Sequence, residues 1–163
     1  MNIFILEETP QLAAQYHCDK HVVKMILEYS QLLSTAHRVL DGDSAPDILY
    51  KATHINHPCT RWTRETTDNY LWLYNLLHSL HSEYRHRYGK EHKSVALMNA
   101  LFNFPNNIES GERTPFALAM PDEYKCEDAV QAYRDYYIGE KAHFCTWKNR
   151  DVPFWFHYKE QVA

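Results

Sequence analysis

Glycine is scarce in this 163-residue chain, with four in all, and proline is thinly spread before Pro105. An all-β sandwich needs turn residues every ~8–12 positions, so that architecture is excluded. No apolar run approaches the ~20 residues of a membrane-spanning helix, and no membrane association is expected. The opening MNIFILEETP has neither the basic start nor the apolar stretch of a secretory signal. The four cysteines, Cys18, Cys59, Cys126 and Cys145, lack CxxC spacing, and reduced thiols in a cytoplasm are the simplest expectation. Positive charge is not in excess either. A net charge of −4 excludes a globally basic nucleic-acid binder, so any such contact must be a local patch, which the eleven histidines can reinforce.

What is present is helical. With 45% of residues apolar, the chain can bury one sizeable core, and a single domain over 1–163 is expected. Thr9 and Pro10 read as N-cap and first helical residue, followed by apolar residues at helical spacing from Leu12 to Leu40. Asp19 offers a second start, so one helix or two is open here; Asp41-Gly42-Asp43 ends the run. After a loop over 43–59, a long helix is expected from Thr60 to Gly89, with Gly89 just past its end. A shorter helix follows near 91–102, then a stretch over 103–122 with Pro105, Pro115 and Pro121. A last helix is expected over 127–147, interrupted at Gly139, before the apolar tail Val152–Phe156, which should pack back on the body. Met1 to Leu6 is a strand or an extended arm. The fold class expected is all-α: a compact bundle of four or five helices with a long irregular loop near 103–122.

One pattern on the first helical run stands out. His17, His21, Lys24, Glu28 and Gln31 are spaced by 4, 3, 4 and 3, which lines them along one helix face. This stripe reads either as the solvent face of an amphipathic helix or as the lining of a groove. The second reading draws on its histidines, unusual for a free surface, and on the apolar flanks Val22, Val23, Met25, Ile26 and Leu27. Glu28 in a groove suits acid–base or cation-stabilising work.

Three further groups carry candidate chemistry. His17 and His21, with His54 and His57 from the HxxHP loop, are the residues that would hold a metal if one were bound; without a Cys pair or HExxH motif, none is expected, nor any other cofactor. Arg85 and Arg87, with Lys90 and Lys93, crowd one helix end, and Arg61 and Arg64 stand at its start. Both groups read as phosphate contacts or as solvated helix termini. Tyr133, Tyr136 and Tyr137 alternate with cations, as in sites where a base stacks on aromatics, or as in an ordinary core.

These residues resemble, over about half the chain, the phage-type pyrimidine-dimer DNA glycosylases and their bacterial relatives. The resemblance lies in the short N-terminal segment, a helix bearing Asp19 and His21 with Glu28 seven residues after the histidine, the Asn56-His57-Pro58 loop, and Arg61 at the next helix start. The chain is also similar to uncharacterised proteins of marine phages, which would place it in a host cytoplasm. In the glycosylase family the chain's own α-amine attacks the sugar, and a helix Glu steadies the resulting cation and assists strand elimination. The resemblance thus implies Met1 as nucleophile, Glu28 as acid–base group and His21 as a positioning group. Three positions depart from it. Leu27 and Gln31 stand where the family has arginines, and Asn2 stands where it has a small residue that lets Met be removed. The amine would then be that of Met1, or Lys20 or Lys24 would take its place.

The expected function is a DNA-acting enzyme that recognises a flipped or modified pyrimidine, as a glycosylase/lyase or a base-modifying derivative. Glu28, His21, Lys24 and Met1 would act on the sugar or base. His17, His57, Arg61, Arg64, Arg85, Arg87 and Tyr136 would bind substrate. A metal-dependent hydrolase or nucleotide enzyme using the four histidines, and a non-catalytic phage interaction protein, are the rival readings.

Overall fold

Two long helices organise the chain, and the breaks on either side of them position everything else. The computed structural model describes residues 1–156. Its α-helices are α1 (Pro10–Tyr16), α2 (Asp19–Asp41), α3 (Pro58–Thr63), α4 (Thr67–Tyr88), α5 (Met98–Leu101) and α6 (Ala129–Tyr136). No strand occurs among the described residues, so the fold is all-α, as expected.

The first helical run divides. His17 and Cys18 adopt extended backbone, and α2 starts afresh at Asp19. The break is held by tertiary bonds: the Asp19 N–H donates to Thr146 O at 2.8 Å, and its carboxylate accepts from the Lys148 N–H at 2.9 Å and the Thr146 hydroxyl at 2.8 Å. The helix expected over 60–89 divides as well. His57 caps α3 ahead of Pro58, and Thr66 caps α4 by accepting from the Asn69 N–H at 3.1 Å. Gly89 ends α4 in the left-handed region at φ +68°, as anticipated. The 91–102 segment is mostly a 3₁₀ stretch over Lys93–Leu97 followed by the single turn of α5. The last helix is cut short: α6 widens into a π-type turn over Tyr137–Lys141. A Cβ at Gly139 would lie 2.2 Å from the Tyr124 hydroxyl, so only glycine lets that ring lie against the turn.

α1 and α2 pack on α4, and the N-terminal arm runs through the core beside them. Ile3, Phe4, Ile5 and Leu6 are all buried although they belong to no strand, so their backbone polar groups need side-chain partners. The Phe4 N–H donates to the Tyr29 hydroxyl at 3.1 Å, and the Leu6 carbonyl accepts from Arg134 Nε at 2.9 Å. The irregular 103–122 stretch is tied down by Asp41, whose carboxylate accepts the Asn106 and Asn107 N–H groups, and by Asn69, which binds both the backbone N–H and the hydroxyl of Thr114. In the tail, Trp155 and Phe156 pack inward, while Phe154 stays exposed. No helix among the described residues is long and apolar enough to cross a membrane.

Arg87 is buried at the centre of an ion cluster. Its guanidinium donates to Glu83 at 2.7 Å, Asp19 at 3.0 Å and the Gln15 carbonyl at 2.9 Å, and Arg150 closes on Glu83 at 2.9 Å. Burial alone would raise the Glu83 carboxyl, but the hydrogen bonds from Arg150 and Arg87 hold it below its ordinary value. The expectation that Arg87 touches substrate is thereby corrected: all its reach is spent joining α4 to α1, α2 and the C-terminal segment.

Candidate active site

The arm delivers the chain's first amine to a carboxylate. The Asn2 amide donates to Ala119 O at 2.8 Å, and its oxygen accepts from Tyr133 and from the Ile3 N–H. Phe4 stacks on His21 with centroids 4.4 Å apart and meets Tyr137 edge-on at 5.3 Å. With residues 2–4 so anchored, the Met1 α-amine stands 3.4 Å from Glu28 Oε1, and the Glu28 side chain is only 15% exposed.

Around this pair lies a small cavity of about 130 Å³. α2 lines it with His21, Lys24 and Glu28, while Tyr136 and Lys141 reach in from α6 and the π-type turn. The Lys141 ammonium rests 5.1 Å from the Tyr136 ring centre. Three amines and one carboxylate thus line the cavity, a charge pattern suited to an anionic ligand that passes through a cationic stage. Larger open grooves lie elsewhere, one of about 780 Å³ beside Gln15 and Arg150 to Phe154, but neither Met1 nor Glu28 lines it.

The stripe is therefore a groove over part of its length. His21, Lys24 and Glu28 come together, but His17 does not join them. It precedes the α2 start and is fully buried, with Nδ1 2.6 Å from Ala13 O and Nε2 2.7 Å from the Tyr29 hydroxyl. A carbonyl only accepts, so Nδ1 carries the proton, Nε2 accepts from Tyr29, and the Tyr29 oxygen is left to accept from Phe4 N–H. Burial holds this imidazole neutral, with its pKa lowered to about 3. His17 thus secures the arm and does not reach the cavity, which corrects its expected substrate contact.

The remaining candidates are scattered more widely. His57 Nδ1 accepts from the Cys59 N–H at 3.1 Å, and its pKa is lowered by burial and then by the nearby N-terminal ammonium. Arg61 and Arg64 stand at the same loop, held by Asn56 Oδ1 at 3.2 Å and Ile55 O at 2.9 Å. Arg85, at the end of α4, is paired with Glu91 at 3.0 Å and does not line the cavity. Among the described residues no three His, Cys, Asp or Glu side chains stand close enough together to hold a metal ion, so the four histidines of the hydrolase reading form no centre. Phe4 was not singled out in the sequence, since it sits in a run that reads only as apolar. Asn2 was noted only as a departure from the family and Lys141 only as a cation among the C-terminal aromatics; their places at the arm and the cavity come from contacts more than a hundred residues apart.

No curated protein and no solved structure matches this chain. A family model does: that of the pyrimidine dimer DNA glycosylases, over residues 1–96, about 60% of the chain. The matched span includes the arm, the whole of α2 with His21, Lys24 and Glu28, the His57 loop and α4, whereas Tyr136 and Lys141 lie beyond it. The amine set beside a helix carboxylate lies within that span, and the chain belongs to the pyrimidine dimer DNA glycosylase family.

Proposed function

We propose that this protein excises a damaged pyrimidine from DNA by amine catalysis and then cleaves the strand. The observation that carries the reading is the 3.4 Å contact between the Met1 α-amine and Glu28. An α-amine is a better nucleophile near neutral pH than a lysine, since it gives up its proton about two to three pH units lower. The amine nitrogen bonds to C1′ of the damaged nucleotide as the C1′–base bond breaks, and the base departs with a proton. Loss of the amine's remaining proton and opening of the sugar ring leave an imine. Protonated, that imine is the cation that Glu28 faces, and Glu28 then accepts the 2′ proton as the 3′ phosphate leaves. Lys24 and Lys141 hold the flanking phosphates, supplying the cations that Leu27 and Gln31 do not. His21 orients the sugar, Tyr136 stacks on a base, and His57, Arg61 and Arg64 contact the backbone.

Borohydride trapping tests this directly. Incubation with an oligonucleotide carrying an abasic site or a pyrimidine dimer should give a covalent protein–DNA adduct that peptide mapping places on the Met1 nitrogen. A folded protein that yields no adduct on any pyrimidine lesion, or one trapped only through a lysine, ends the α-amine reading. Glu28→Gln should lower turnover by ~10²-fold or more at unchanged fold, because it keeps the shape and removes the anion.

A further inference from the structure

Next to His21, across the Tyr137 hydroxyl, two cysteines come together. Cys18 is fully buried at the N-cap position of α2, and Cys145 is half-buried just after the π-type turn. The next residue of each, Asp19 and Thr146, share a 2.8 Å backbone hydrogen bond, which sets the two short stretches side by side. That shared bond brings the two thiols close enough for each to perturb the other. The Tyr137 hydroxyl lies 3.7 Å from Cys18 Sγ and 2.5 Å from His21 Nδ1, so one phenol bridges the sulfur to the cavity's histidine. The hydrogen bond from Cys145, followed by contacts from His21, outweighs burial and holds Cys18 well below the ordinary thiol range, while its neighbour Cys145 is pushed up.

We propose that Cys18 and Cys145 form a reversible disulfide that sets the hydrogen-bonding state of His21. Cys145, the reachable thiol, passes its proton to the Cys18 thiolate, attacks a small disulfide such as oxidised glutathione and forms a mixed disulfide, expelling one small thiolate. Cys18 then gives that proton up to the expelled thiolate, attacks Cys145 Sγ and expels the second small thiolate. Two protein sulfurs are oxidised and one small disulfide is reduced; the pair's single proton leaves with one small thiol, and the other departs as a thiolate that takes its proton from water. In the reduced protein the Tyr137 proton points at the Cys18 thiolate, and His21 Nδ1–H donates to the phenol oxygen. Once Cys18 is in a disulfide it is a poor acceptor. Tyr137 then donates to Nδ1, the imidazole proton moves to Nε2, and His21 faces the cavity as a donor where it had been an acceptor.

The disulfide itself is independent of the excision chemistry, and its test does not use activity. A Cys126→Ser protein, freed of its exposed thiol, is incubated with oxidised glutathione and mapped without reduction. The expected product is one cross-linked peptide joining Cys18 to Cys145, reversed by a reductant, with a raised Tm and a changed His21 ring-nitrogen pattern by ¹⁵N NMR. Cys145→Ser should abolish all three changes. A stable glutathione adduct at Cys145, a cross-link through Cys59, or free Cys18 and Cys145 after the same treatment oxidises the unfolded chain would overturn the disulfide. A cross-link that leaves the His21 nitrogens unchanged would overturn the relay.

Discussion

His17 shows how much one buried side chain can impose on pH behaviour. Its imidazole is neutral in the folded protein down to a pH of about 3, whereas in the unfolded chain it takes up a proton near the ordinary value of 6.5. Between those limits the unfolded state binds more protons, so stability falls as the pH is lowered from 6.5, by at most about 1.4 kcal/mol per pH unit from this group. Above that window His17 contributes no slope. His17→Gln should flatten the curve of Tm against pH between 6.5 and 4.5, measured by calorimetry against the parent protein; an unchanged slope would locate the acid sensitivity elsewhere. At this scale the sequence was legible where helical spacing did the placing: His21, Lys24 and Glu28 share a groove because α2 is unbroken through them. His17 misled, because its place in the stripe assumed a helix that ends one residue before it. Arg87 misled for a related reason, since a basic cluster read as exposed contains one side chain turned fully inward.

Among the elements, the breaks matter more than the helices. Asn69, in the first turn of α4, donates to Trp62 O at 2.8 Å and to the Thr114 hydroxyl at 2.8 Å, and accepts from Thr114 N at 2.9 Å. It thereby fixes the angle between α3 and α4 and holds the irregular loop against both. Asn69→Ala should leave buried donors and acceptors unpaired and lower stability by ~2–3 kcal/mol in urea unfolding. Limited proteolysis should then cut within residues 103–122 first; uniform resistance there would mean Asp41 alone secures the loop. The start of α1 at Pro10 and the Gly89 stop were readable because each rests on a local rule. The split at 17–18 was readable only as an open choice, and that at 64–66 was missed. Partners such as Thr146 and Thr114, distant along the chain, hold those splits, and periodicity carries no trace of such partners.

For the molecule as a whole, the Arg87 cluster is the joint that ties α1, α2, α4 and the C-terminal segment together. Arg87→Met keeps much of the volume but leaves Glu83 with Arg150 alone and takes from Asp19 its cation, and removing one member of a buried charge set costs ~3–5 kcal/mol. The variant should unfold at markedly lower denaturant, and a further Glu83→Gln exchange should restore part of the loss. If Arg87→Met alone is neutral, water reaches the cluster and the joint is weaker than its geometry implies. The helical class was legible from composition and period. The course of the arm was not: Ile3 to Leu6, in a segment that read as a strand or an extended arm, lie inside the core, where side chains of α2 and α6 receive them.

That course sets a timetable. The arm is synthesised well before its partners Ala119, Tyr133 and Arg134, which follow 117 to 131 residues later. Until they emerge, Ile3 to Leu6 have no finished core to enter, and the amine has no fixed address beside Glu28. Contacts of such long sequence separation form slowly. The amine–carboxylate pair therefore depends on residues far along the chain, so a C-terminally shortened protein can carry every residue of α2 and still leave the amine unplaced. Under the proposed chemistry, the nucleophile is thus withheld until the later segments that hold its arm are in place.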